Sequence, residues 1–313
     1  MSDPASGWAD PNPAAVTDSR TRTALTIAGA ALTVLVIATL VVVVIISRGG
    51  IFSGSSPGQT IVLTAANAAG PDPFMPSVSA GAIPASGQVA IHAATLAQQL
   101  PYSAERGVRL VSGTQPGLYG SIGQADSCDT VAVANFLDTH PDNAEAWASA
   151  MGIQTAQIPY YLNTLTSVAL IADAWVTSHS YTDGEVTAHQ TVLQAGNAVL
   201  IDPIGVPRVA CASGNPLTPP KNRNLSTLSH ISGTPWDGYN PANVVAIAYT
   251  PNSSTAPQQT PPAPVTEFRL VDLITAQPLI RKAGGTINLE PSAAAPGQLP
   301  DPVSMNIPPA ADG

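Results

Sequence analysis

Residues Ala24 to Ile46 carry no charge and no proline, and the run ends in Leu40-Val41-Val42-Val43-Val44-Ile45-Ile46. At about 1.5 Å per residue such a helix is roughly 34 Å long, enough to cross a hydrocarbon core of about 30 Å. The run is longer than the apolar region of a cleaved signal peptide. The pattern therefore predicts an uncleaved signal anchor whose partner is the lipid bilayer. Arg20 and Arg22 precede it and Arg48 follows it, a bias that predicts a cytoplasmic N-terminus and an extracytoplasmic remainder.

Before the anchor, residues 1–23 are polar and too short to bury a core, so a disordered cytoplasmic tail is expected. After it, residues 47–60 read as a Gly/Ser stalk. Residues 61–290 hold the patterned part, in which Gln88 to His92 reads as a short strand-like run. Asp129 is placed to cap a helix over Thr130 to Thr139, with Val133, Phe136 and Leu137 on one stripe. Pro141 opens a second helix that Gly152 ends, and Thr155 can cap a third ending near Leu165. From Val168 the period changes to strands: Val168–Ile171, Ala174–Tyr181, Gln190–Leu193, Ala198–Ile201, Val206–Cys211, Val244–Tyr249 and Phe268–Leu273. The expected fold is α+β, a transmembrane helix followed by a β-rich extracytoplasmic domain with a three-helix insertion. Residues 251–266 are expected as a proline-rich loop and residues 291–313 as a disordered proline-rich tail, a spacer or a ligand for a partner.

Composition sharpens this picture. The 313 residues include 31 prolines and 25 glycines, only 10% are charged, and the net charge is −9. That balance excludes a coiled coil and argues against nucleic-acid binding, which needs a basic footprint. A surface so short of charge must be solvated by Ser, Thr, Asn and Gln, or covered by a partner.

Cys128 and Cys211 are the two cysteines, and outside the membrane they are expected to form a disulfide. A catalytic thiol is the rival, but no histidine lies locally beside either.

The densest polar cluster is His179-x3-Asp183-x-Glu185-x3-His189. Its spacing suggests a metal or acid–base site, but Asp183-Gly184 is a hairpin-turn pair. A two-residue turn pairs Thr182 with Glu185, His179 with Ala188 and Ser178 with His189, which sends the two histidines to opposite faces. No metal site is expected, and His179 and Asp183 remain ligand-binding candidates.

Gly117-Leu118-Tyr119-Gly120-Ser121-Ile122-Gly123 lacks the Gly-Lys-Ser/Thr of a P-loop and reads as turns. Trp147, Trp175 and Trp236 could stack on a sugar ring or fill the core. Trp236-Asp237-Gly238-Tyr239 is the most exposed in character, so Trp236, Asp237 and Tyr239 are the remaining ligand-surface candidates. The spacings point to no catalytic residue and no cofactor.

Several phrases carry a family likeness. They are Gly70-Pro71-Asp72-Pro73-Phe74, Gly117-Leu118-Tyr119-Gly120, Cys128-Asp129 and Ile158-Pro159-Tyr160-Tyr161-Leu162. The strongest runs from Val192-Leu193-Gln194-Ala195-Gly196 through Val206-Pro207-Arg208-Val209 and Cys211 to Gly214-Asn215-Pro216-Leu217-Thr218-Pro219-Pro220. In this order they resemble an actinobacterial envelope domain of unknown function, typically found after a single membrane anchor, over roughly residues 60–290. Cys211-Ala212-Ser213 stands where some relatives are expected to show Cys-x-Cys, so chemistry needing a second thiol there is in doubt. The resemblance implies location and architecture and carries over no catalytic residue.

The leading expectation is a single-pass envelope protein whose outer domain, without catalysis, binds or senses an envelope polymer or a membrane-protein partner. The alternatives are an enzyme acting on cell-wall glycan or lipid, and a structural interaction partner.

Overall fold

The computed structural model describes residues 60–81, 86–228, 230–247, 263–289 and 295–308. The expected tail 1–23, anchor 24–46 and residues 47–59 of the stalk lie outside them, as do residues 251–262 of the proline-rich loop. Among the described residues no helix is long and apolar enough to cross a membrane.

In chain order the elements are β1 (Thr60–Thr64), α1 (Gly87–Gln99), β2 (Tyr102–Ser103), β3 (Val108–Val111) and β4 (Tyr119–Ser121). Then come α2 (Thr130–Thr139), α3 (Pro141–Met151) and α4 (Ile158–Thr164). The second half is β5 (Thr166–Leu170), β6 (Ala174–Thr182), β7 (Glu185–Leu193), β8 (Ala198–Ile201), β9 (Pro207–Ala210) and β10 (Asn215–Thr218). It ends with β11 (His230–Ser232), β12 (Val245–Ile247), β13 (Glu267–Asp272) and β14 (Pro278–Lys282). The domain is β-rich with a few helices, and α2, α3 and α4 are consecutive.

The strands form one branched 14-stranded sheet with the path β11-β1-β7-β6-β10-β9-β8-β5-β4-β13-β14. The branch is made by β6. It pairs with β7 along its whole length, while its other side is shared by β12 at Ala174 and β10 at Thr177 and Ser178. Strands β5 and β8 are buried on both faces. Val168, Leu170, Val199 and Ile201 face the largest apolar cluster, whereas Ala198 and Leu200 turn toward the helices and Ala169 toward α1. That two-sided burial is why these strands read as continuous apolar runs rather than as alternation.

The helical layer follows its local signals. Asp129 accepts from the Ala132 N–H at 2.8 Å and caps α2. Pro141 starts α3, and Gly152 ends it in the left-handed region (φ +69°). The third helix is reached through a 3₁₀ turn at Thr155–Gln157, with Gln154 rather than Thr155 as the cap. The stripe Val133, Leu137, Ala144, Trp147 and Leu162 packs on Leu200 and Val209. Trp147 and Trp175 are both core residues, at 0% and 1% exposure.

Cys128 and Cys211 are bonded, tying the start of α2 to the end of β9 across 83 residues. Arg281 on β14 forms a second long-range tie. Its guanidinium donates to the carbonyls of Ser167 and Ala125 (2.8 and 2.7 Å) and to Ser121 Oγ (2.8 Å), and pairs with Asp126 at 3.0 Å. The Pro203-Ile204-Gly205 turn crosses the Gly113 backbone so closely that a Cβ on Gly205 would sit 2.1 Å from the Gly113 carbonyl oxygen.

Two expectations are corrected. Residues 88–92 belong to α1, not to a strand: Ser86 caps the helix, and Val89, Leu96 and Ala97 form its buried stripe. Within the expected disordered tail 291–313, residues 295–308 are packed against the domain. There Leu299 and Met305 lie on the helical cluster and Val303 on the sheet cluster.

Candidate functional site

The β6–β7 hairpin turns at Asp183 (φ +52°) and Gly184 (φ +88°), both in the left-handed region that a two-residue turn requires. Its register is Thr182↔Glu185, His179↔Ala188 and Ser178↔His189, so the two histidines face opposite sides of the ribbon. His179 Nε2 lies 3.0 Å from Thr218 Oγ1 on β10. Burial, helped by the nearby His189, pushes the His179 imidazole down to about 4, and burial also lowers His189. Residues 182–188 are exposed, so Asp183 sits on the outer end of the hairpin. Among the described residues no group of three or more His, Cys, Asp or Glu side chains could hold a metal ion.

The depressed imidazoles set a sign for acid stability. A group whose folded pKa lies below its unfolded value binds protons preferentially in the unfolded state. His179 therefore stabilises the fold above its ordinary 6.5, and this is lost as pH falls toward about 4. Melting curves between pH 7.5 and 4 are expected to show falling stability in that window. His179→Gln should flatten the curve, and an unchanged slope would contradict the assignment.

A second group forms at the other end of β6. Asp173, just before the strand, accepts the Trp236 indole N–H at Oδ2 (3.0 Å) and the Ala195 N–H at Oδ1 (2.8 Å). Burial raises its carboxyl, and these two hydrogen bonds oppose the rise. Tyr239 meets Trp236 edge to face, with centroids 5.1 Å apart at 75°. Burial and the Asp173 charge raise its hydroxyl. Both rings are half-buried against the cluster of Ile61, Trp175, Val192 and Val244. Asp237 is exposed on the turn between them.

Trp236 and Tyr239 are thus brought together, with Asp237 beside them. His179 and Asp183 are elsewhere: at about 3.3 Å per residue, the length of β6 separates Asp173 from Asp183 by about 30 Å. The residue that sequence reading missed is Asp173. Its available signal was a lone carboxylate between two apolar strands, in Ile171-Ala172-Asp173-Ala174.

A cavity of about 670 Å³ opens at the start of α2, lined by Ser77, Ser79, Asp126, Asp129, Thr130 and Thr286. It is rich in hydroxyl and carboxyl groups. Its two carboxylates already serve the fold, Asp129 as the helix cap and Asp126 as the partner of Arg281.

Residues 109–284 match the model of a domain of unknown function, DUF6777. No curated protein and no solved structure matches the chain. The matched stretch runs from β3 to just past β14 and includes the disulfide, the hairpin, Asp173 and both aromatic residues. The chain belongs to the DUF6777 family, a domain of unknown function.

Proposed function

We propose that this protein is a single-pass envelope protein whose outer domain binds an envelope component without catalysis, through the Trp236–Tyr239 surface. The observation that carries the reading is the anchoring of a half-exposed aromatic pair by a largely buried carboxylate. Asp173 fixes the indole through its N–H, so the ring is held in place while part of its surface stays open. A pre-set aromatic face beside polar groups suits a sugar ring, whose C–H face stacks while its hydroxyls find acceptors such as Asp237. The apolar run 24–46 and its arginine flanks support the anchored, extracytoplasmic placement.

The test is co-sedimentation of the full chain, in detergent, with insoluble cell-wall glycan. Trp236→Ala is expected to lower binding at least tenfold, with a cooperative melting transition showing that the variant remains folded. Asp173→Asn keeps the shape and an acceptor for the indole, and should cost less. Equal binding by wild type and Trp236→Ala would remove the aromatic surface from the proposal; no binding by wild type would remove the glycan.

A further inference from the structure

Residues 295–308 occupy a groove built from two polar side chains that are themselves buried. Gln157, 5% exposed, is the last residue of the 3₁₀ turn before α4. Its Oε1 accepts the Gln154 N–H at 2.9 Å, which turns Nε2 outward. That Nε2 donates to the carbonyls of Pro296 and Gln298, at 2.9 and 3.1 Å. Gly297 lies between them at φ +79°, and this left-handed bend lets the carbonyls on either side converge on one amide. A Cβ there would lie 3.5 Å from Nε2.

The second side chain is Arg208 of β9, 0% exposed. Its Nε is held on Asp202 Oδ2 at 2.8 Å, and its Nη1 donates to the Met305 carbonyl at 3.3 Å. Leu299 and Met305 rest on the helical cluster and Val303 on the sheet cluster. Both donors are therefore oriented by the domain itself, and all three hydrogen bonds go to main-chain carbonyls. Proline lacks an N–H, so in a proline-rich segment the carbonyls are the main-chain groups most available for recognition.

We infer that this groove is a peptide-binding site for a proline-rich segment of a partner protein, filled in this chain by its own residues 295–308. The partner segment would present two carbonyls to Gln157, one to Arg208, and apolar side chains at the Leu299 and Met305 positions, six residues apart. Two observations make the occupant replaceable. Of residues 295–308 only Asn306 is buried, and Ile307 is 73% exposed, so little apolar surface holds the segment. Attachment to the same chain gives it a high effective concentration, which lets a weak ligand fill the groove until a tighter one arrives. Gln157 and Arg208 lie inside the family-matched stretch, whereas the segment lies outside it. The inference is independent of the Trp236 surface.

The test uses the full chain with residues 290–294 replaced by the recognition sequence of a specific protease, so that folding occurs with the segment attached. Fluorescence anisotropy then follows a labelled peptide of residues 295–308. The cut protein is expected to bind the peptide at least tenfold more tightly than the uncut protein, and an unlabelled proline-rich competitor keeping the Leu and Met positions should displace it. Peptides with Leu299→Ala and Met305→Ala together, or with Gly297→Ala, should bind at least tenfold more weakly, as should cut protein carrying Gln157→Ala. Failure of cut, folded protein to exchange its segment would overturn the inference. So would equal binding of a scrambled peptide, or a tail-exchanged dimer that excludes added peptide.

Discussion

Replacing both Cys128 and Cys211 by serine is expected to lower the unfolding free energy by about 4.5 kcal/mol, the chain-entropy value for a loop of 83 residues. For a domain of this size that corresponds to a fall in melting temperature of roughly 9–18 °C. The bond joins two parts of the fold that form from distant sequence. Cys128 leads into α2, and Cys211 directly follows β9 with its N–H on the Ala198 carbonyl. Without the cross-link the unfolded chain regains the freedom to separate the helical layer from the sheet. Both cysteines are 0% exposed, so the two serine hydroxyls are also left in apolar surroundings, which adds to the loss. Thermal and denaturant unfolding of the double variant, with thiol counting by mass on the wild type, checks this. Native protein with two alkylatable thiols, or a variant as stable as wild type, would contradict it.

What the sequence disclosed was what local rules decide. The hairpin register is set by Asp183-Gly184, and the caps of α2 and α3 by residues within four positions of each helix end, so all were readable. Strands β2, β4, β10 and β11 have two to four residues and lack the continuous apolar run that marks the equally short β8 and β12, and their pairing comes from neighbours far along the chain. Helix α1 was misread from an apolar stretch too short to distinguish two periods, although the Ser86 cap was local. Composition misjudged residues 295–308. Proline-rich chain cannot bury itself, but Gln157 and Arg208 supply partners about 140 and 97 residues away, which composition does not record. Asp173 and Arg281 were missed for the same reason, since each takes its meaning from contacts across the fold.

Arg208→Met should cost about 3–5 kcal/mol near neutral pH, the usual loss when one member of a buried ion pair is removed. Asp202 and Arg208 expose 2% and 0% of their side chains. Asp202 also accepts the N–H groups of Ile204 and Val206, both at 3.0 Å, and so holds the turn that crosses Gly113. Methionine fills much of the arginine's volume but leaves the carboxylate with those two N–H donors alone. Burial already holds the Asp202 carboxyl above its ordinary value, and the Arg208 charge is the largest opposing influence. Removing the arginine moves the carboxyl further up. A carboxyl raised by folding binds protons preferentially in the folded state, so its contribution is present below the unfolded value and lost as pH rises through the folded one. Arg208→Met should therefore regain stability as the medium is acidified, opposite in sign to the His179 effect. Adding Asp202→Asn removes the charge that was left unpaired, so the double variant should be more stable at neutral pH than Arg208→Met alone and should lose the added pH slope. If the two losses simply added, the pair would not be coupled, and the turn rather than the charge would have to account for the loss.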